Sequence, residues 1–210
     1  MEDNLPRWPN VPACYGWLSL DARGCWRLQD ETISHPGMIA FLNANYTCGA
    51  DGSWLVNNGP QRVYVKLESV PWILRLQPDR QFLTHTGRCV SPRGDIWLDR
   101  DGRVFMDTDA GPAALDDRDL AMLFAEVCNA AGEAASESDV LALMASAGAT
   151  PQPGGESAPP STEESATDPA LLQWHSIPVR SLRHEHAAAR FGFVANPNPA
   201  DAAPAQAPQS

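Results

Sequence analysis

Between residues 14 and 109 the chain repeats one pattern three times: an apolar stretch, a four-residue break ending in glycine, and a second apolar stretch. Tyr15 to Leu20, Asp21-Ala22-Arg23-Gly24 and Cys25 to Gln29 make the first copy. Asn45 to Cys48, Gly49-Ala50-Asp51-Gly52 and Ser53 to Asn57 make the second. Asp95 to Leu98, Asp99-Arg100-Asp101-Gly102 and Arg103 to Asp107 make the third. Glycine at the end of each break permits the positive φ that closes a hairpin with a bulge. The flanks are rich in Trp, Leu, Val and Phe, which suit half-buried strands. The spacing therefore predicts a sheet assembled from local hairpins.

Alternation assigns faces. Val63, Val65 and Leu67 share one side of a strand, and Arg62, Tyr64, Lys66 and Glu68 share the other. Trp72, Leu74 and Leu76 lie together with Arg75 opposite, and this strand is expected to pair with 62–68 through a turn at Ser69-Val70-Pro71. Two helices interrupt the strands. The first follows Ser34 and runs from His35 to Tyr46, with Pro36 in its first turn and Met38, Ile39, Phe41 and Leu42 on one stripe. The second starts after Asp116 and continues to about Cys128, capped by Asp116 and apolar at Leu120, Leu123, Phe124 and Val127. Each hairpin-plus-helix pair echoes the other, which hints at two related units packed together.

Charge divides the chain. Residues 1–127 carry −5, residues 128–170 carry −7 with no base, and residues 171–210 carry +1. The middle segment is small-residue-rich and lacks aromatics, so it buries too little apolar surface to offset chain entropy. It is expected to be an acidic disordered linker, with room for one short helix from Val140 to Ala147 capped by Asp139. Residues 171–197 regain Trp, Ile, Val, Leu and Phe and are expected to dock on the main domain as a returning arm, since so short a piece has no core of its own. Residues 198–210 form a Pro/Ala tail. The fold expected is α+β and β-dominated: a domain at 7–127 with two helices on the sheet, the linker at 128–170, the arm and the tail.

A net charge of −11 opposes unspecific nucleic-acid binding and attachment to an anionic membrane surface. The N-terminal MEDNLPRWPN is no secretory signal, and no stretch of about 18 apolar residues exists to span a bilayer, so the location expected is cytoplasmic. Cys14, Cys25, Cys48, Cys89 and Cys128 form no CxxC pair and read as reduced, buried small hydrophobes.

The stretches WPNVPACYGWLSLDARGCW, NNGPQRVYVKLESVPWILRL, LTHTGR and ARFGFVANP resemble a bacterial family of unknown function, domain-of-unknown-function family 2946, over about residues 7–127 and 189–197. The order of elements is also similar to domain-of-unknown-function family 1285. Its two glycine hairpins, apolar helix, V-x-V-E-x-x-P-[FW] step and T-x-x-G strand correspond to DARG, His35–Tyr46, GADG, Val63 to Trp72 and Thr84 to Gly87. That resemblance implies a β-rich fold with repeated motifs and a signalling role, without an established activity.

Candidate chemistry is sparse. On a helix the imidazoles of His184 and His186 point about 200° apart and cannot chelate together, although on a strand they would. Asp99 to Asp109 lacks the closing Glu and flanking helices of an EF-hand, and reads as a hairpin turn. His85 stands in an expected strand between Thr84 and Thr86, with no visible nucleophile partner. Trp17, Trp26, Trp54, Trp72 and Trp97 read as core, with an aromatic outer patch as the functional rival if Trp17 shares a face with Ser19. No GxSxG, HExxH, Walker loop or GxGxxG occurs, so no catalytic residue, metal or cofactor is expected. The most distinctive polar stretch joins Asn57, Asn58, Gln61 and Arg62 to Tyr64 and Lys66, where Arg offers a planar fork to a carboxylate or phosphate. The leading functional expectation is a non-enzymatic regulatory module that binds a small molecule or a protein on this face. The rivals are a small hydrolase using His85 or Asp95 on a polar substrate, and a scaffold subunit of a complex.

Overall fold

The computed structural model describes residues 11–147, 172–183 and 186–199. Most of the expected tail and part of the segment read as linker lie outside them. The first unit contains β1 (Ala13–Leu20), β2 (Trp26–Leu28), β3 (Glu31–Thr32), α1 (Pro36–Asn45), β4 (Tyr46–Cys48), β5 (Trp54–Asn58) and β6 (Gln61–Leu67). Its strands form a six-stranded sheet in the order β3-β2-β1-β6-β5-β4. A connecting meander, β7 (Trp72–Leu76), β8 (Phe82–Thr84) and β9 (Cys89–Val90), follows. The second unit contains β10 (Pro92–Leu98), β11 (Val104–Thr108), β12 (Gly111–Leu115), α2 (Leu120–Phe124), β13 (Val127–Cys128), α3 (Glu137–Ser146), β14 (Leu172–Trp174) and β15 (Ile177–Ser181). These strands and the meander make a nine-stranded sheet in the order β13-β14-β15-β10-β11-β12-β7-β8-β9. A last helix, α4 (Ala187–Phe191), precedes the final described segment.

The two units share one topology. Without the meander, the second sheet reads β12-β11-β10-β15-β14-β13, strand for strand the order of the first. Both are built around a parallel central pair, β1 with β6 and β10 with β15. Both first strands carry an irregularity at a glycine with positive φ, Gly16 and Gly94, two residues before Leu18 and Ile96 rejoin the ladder. Residues 172–181 thus supply two internal strands, β14 and β15, and β15 pairs with β10.

One turn recurs at Asp21–Cys25, Gly49–Ser53, Gln77–Gln81, Thr84–Arg88, Asp99–Arg103 and Asn129–Glu133. In each, the first residue donates its N–H to the fifth carbonyl and the fourth donates to the first carbonyl. The fourth residue is left-handed: Gly24, Gly52, Gly87, Gly102, Gly132 or Arg80. The fifth N–H donates to a side-chain oxygen, from Asp21, Thr84, Asp99 or Asn129 at the first position or Asp51 or Asp79 at the third. A short polar side chain thereby satisfies an amide that the loop would otherwise strand.

Both sheets feed one contiguous core. Val63, Val65 and Leu67 are buried on β6, as alternation requires, while Ile73 joins Trp72, Leu74 and Leu76 because β7 is covered on both faces. Four expectations change. Strands β6 and β7 do not pair: β6 lies between β1 and β5, β7 lies between β12 and β8, and Ser69-Val70-Pro71 carries the chain from one sheet to the other. The second helix, entered through a 3-10 turn at Asp117–Asp119 capped by Asp116, stops at Phe124 because Val127 and Cys128 pair with β14. The segment read as a linker is folded as far as Ala147. It contains the Asn129 turn and α3, and Leu143 and Ala147 are buried. Its helix is capped by a reciprocal Ser136–Asp139 box, so Asp139 acts at the third helical position. Finally, Cys25, Cys48 and Cys89 are exposed beside turns or on an edge strand, and Cys14 alone of the five is fully buried.

Candidate functional site

The hairpin β5–β6 places Asn57 opposite Arg62 and Leu55 opposite Tyr64 on the outer face of the first sheet. The neighbouring hairpin β4–β5 wraps the Gly49–Ser53 turn around this face. Together they enclose a cleft of about 420 Å³ lined by Thr47, Cys48, Asp51, Asn57, Arg62 and Tyr64 among others. Tyr64 stacks on Tyr15 of β1, with ring centroids 4.3 Å apart and planes within 8° of parallel. Burial, the hydrogen bond to Tyr64 and nearby negative charge push the Tyr15 hydroxyl up to about 12, so it stays protonated and able to donate.

The six residues singled out from the sequence divide. Asn57, Arg62 and Tyr64 line the cleft. Asn58 instead donates to Gln61 at 3.3 Å within the turn, and Gln61 donates to the Val11 carbonyl at 2.7 Å, which fastens the turn to the segment before β1. Lys66 lies farther along the outer face, beyond the cleft. Thr47, Cys48 and Asp51 were missed. The sequence shows their hairpin, but only the pairing of β5 with β6 brings it beside Arg62.

Electrostatically, Arg62 differs from most of its kind in this acidic chain. Arg23, Arg27, Arg75, Arg80, Arg118 and Arg180 each meet a carboxylate. Among the described residues Arg62 makes no ion pair. The Asp51 carboxylate across the cleft is engaged by the Ser53 amide at 3.1 Å and the Ser53 hydroxyl at 3.0 Å.

His85 lies in the Thr84–Arg88 turn, outside any strand, and its flanking Thr84 and Thr86 hydroxyls bond each other at 2.9 Å. The ring is packed among Trp26, Tyr46 and Trp72, with centroids 5.5 to 5.8 Å away. Nδ1 accepts the Ile73 amide at 3.4 Å, which places the neutral ring's proton on Nε2. Nε2 is buried without a hydrogen-bond partner among the described residues. Burial, opposed by the negative charge of Asp21, pushes the imidazole down to about 4. Among the described residues no acid or hydroxyl hydrogen-bonds to Nε2, as a proton relay would require.

Asp99 Oδ1 caps the Asp101 and Arg103 amides, which is the hairpin reading of that acidic run. Among the described residues no group of three or more His, Cys, Asp or Glu side chains is placed to hold a metal ion. His184 falls outside them, and no described helix is long and apolar enough to cross a membrane. Trp26, Trp54 and Trp72 are buried, and Trp17 and Trp97 are half-buried.

Solved structures of two DUF1285 family proteins are similar to this chain. The Silicibacter pomeroyi DSS-3 protein is 16% identical, with a TM-score of 0.44 over 58% of this chain and 74% of that one. The Shewanella baltica OS155 protein is 18% identical, with a TM-score of 0.37 over 49% of this chain and 86% of that one. No curated protein matches the chain. The family model for a protein of unknown function, DUF2946, matches residues 1–198, including the acidic segment that the sequence reading left without a counterpart. The chain belongs to that family.

Proposed function

We propose that the protein is a non-enzymatic binding module, regulatory in role, that takes a polar anionic group on the outer face of its six-stranded sheet. The observation that carries this reading is Arg62. It lines a preformed cleft beside Asn57 and Tyr64 and, unlike Arg23, Arg75 and Arg118, meets no carboxylate among the described residues. A guanidinium fork with an amide beside it and a tyrosine wall suits a carboxylate or phosphate attached to a flat or polar body. The hydrolase reading has no such support, because His85 is closed in by aromatic rings. The scaffold reading needs a broad apolar patch, and the exposed large apolar side chains Val11, Phe41, Met122 and Leu141 are spread over separate elements.

The test is a thermal-shift screen against nucleotides, cyclic dinucleotides, sugar phosphates and carboxylic acids. A ligand that binds only the native state raises the midpoint by mass action. A dose-dependent rise that Arg62→Ala abolishes is the expected result. A rise that survives Arg62→Ala, or a flat screen, refutes the anion site.

A further inference from the structure

The structure assigns a second binding site, for a small zwitterion of amino-acid size with an apolar side chain, to the cleft between the equivalent turns of the two units. The Asp21–Cys25 turn of the first unit and the Asp99–Arg103 turn of the second occupy matching places after β1 and β10. Ala22 and Arg23 line one side of a cleft of about 260 Å³, and Asp101, Gly102 and Arg103 line the other. Ala114, Leu115 and Leu120 give it an apolar floor, and Ser69 comes from the crossover between the sheets. The volume falls just below the range of drug-sized pockets, about 300–1,000 Å³, and suits a single small metabolite.

The duplication places opposite charges at equivalent positions. The third residue of the first turn is Arg23, and the third residue of the second is Asp101. Asp117 grips Arg23 through two hydrogen bonds of 3.1 and 2.7 Å, which fixes the guanidinium at one lip with further donors unspent. Among the described residues, Asp101's ion pair is the long contact to Arg100 at 3.6 Å. A purely anionic ligand would meet Asp101 and Asp117, and a purely cationic one would meet Arg23 and Arg103. A molecule carrying both charges on one carbon places its ammonium on Asp101, its carboxylate on Arg23 across the cleft and its apolar chain on the floor.

Calorimetric titration of the full chain with L-leucine, N-acetyl-leucine and leucinamide tests this. L-leucine should bind, and loss of either charge should weaken binding about tenfold or more. Asp101→Asn should weaken L-leucine to a similar degree without unfolding the protein, because Asp99 and not Asp101 caps that turn. Arg62→Gln should leave the titration unchanged, which separates this site from the outer-face cleft. Absence of heat with leucine, isoleucine, valine and methionine, equal binding of the blocked derivatives, or indifference to Asp101→Asn would each overturn the assignment.

Discussion

His85 has nowhere to put a second proton. Nδ1 already accepts the Ile73 amide and Nε2 faces aromatic rings, so a charged ring would aim one donor at another and leave the other unsolvated. Its folded value is about 4, below the value of about 6.5 expected when unfolded. The unfolded chain therefore binds the extra proton first. Its contribution to stability is complete above about pH 6.5 and is lost as the pH falls toward 4, with a ceiling of about 3 kcal/mol. Denaturant midpoints measured from pH 7 to 4 should fall for the wild type. They should fall less for His85→Phe, whose carboxylates titrate alike but whose ring does not. Parallel profiles would show that His85 is not the group responsible. A separate acid step belongs to Asp116. Burial raises it, but hydrogen bonds from Arg118 win and hold it at about 2, so its contribution disappears between about pH 4 and 2. Sequence showed a histidine between two threonines. It could not show that residues 84–88 form a turn, because the turn is closed by Gly87 and the Thr84 hydroxyl while its tip is packed by Trp26 and Trp72 from elsewhere in the chain.

At the level of elements, hairpins were legible and their partners were not. A turn of the Asp21 or Asp99 kind is written in five adjacent residues, so its closure depends on nothing distant. Whether β6 then lies beside β5 or β7 depends on which sheet each joins, and local alternation does not encode that. The apolar side chains of residues 171–197 were legible, but which strand β15 would pair with was not. Helix α3 shows why composition misled. Its segment is acidic, yet the charges lie in the helix's first turn and on its solvent side, while Leu143 and Ala147 face inward. Leu143→Ala should cost about 2–4 kcal/mol in urea unfolding, the usual range for a buried leucine. Leu141→Ala, two residues away and exposed, should cost less than about 0.5 kcal/mol. Equal, small losses at both positions would mean that α3 is not packed on the second sheet.

The duplicated topology leaves the question of whether the two units unfold separately. Three connections argue that they do not. The meander between them belongs to the second sheet through β7 and β12, so the end of the first unit passes into the second sheet through the four residues from Glu68 to Pro71. Arg23 of the first unit is held by Asp117 at the entry to α2 through hydrogen bonds of 3.1 and 2.7 Å, and Asp119 beside it fixes that helix to the meander by accepting from the Arg75 side chain and the Leu76 amide. The segment after α4 crosses back: Val194 donates to the Gly52 carbonyl at 3.0 Å, Leu67 donates to the Ala195 carbonyl at 2.8 Å, and Phe193 is buried. A side chain on Gly52 would lie 2.8 Å from the Gly192 carbonyl oxygen, so this return is seated tightly. At its other end Arg190 lies 3.5 Å over the Trp97 ring of β10, so one short segment holds both sheets. Few positions still match between the units: Gly16 with Gly94, Leu20 with Leu98, Asp21 with Asp99 and Gly24 with Gly102 around the first turn, and Cys48 with Cys128, Ala50 with Ala130 and Gly52 with Gly132 around the turn after β4 and β13, which is why the sequence carries an echo without an evident alignment. Units tied together by these contacts should fail together. Calorimetry should therefore give a single transition whose van't Hoff and calorimetric enthalpies agree. Leu42→Ala in the first unit and Leu123→Ala in the second, both fully buried, should each move that whole transition downward. Two resolved transitions, with each substitution moving only one, would make the units independent folds joined by a tether, and the crossing segment would then be decoration.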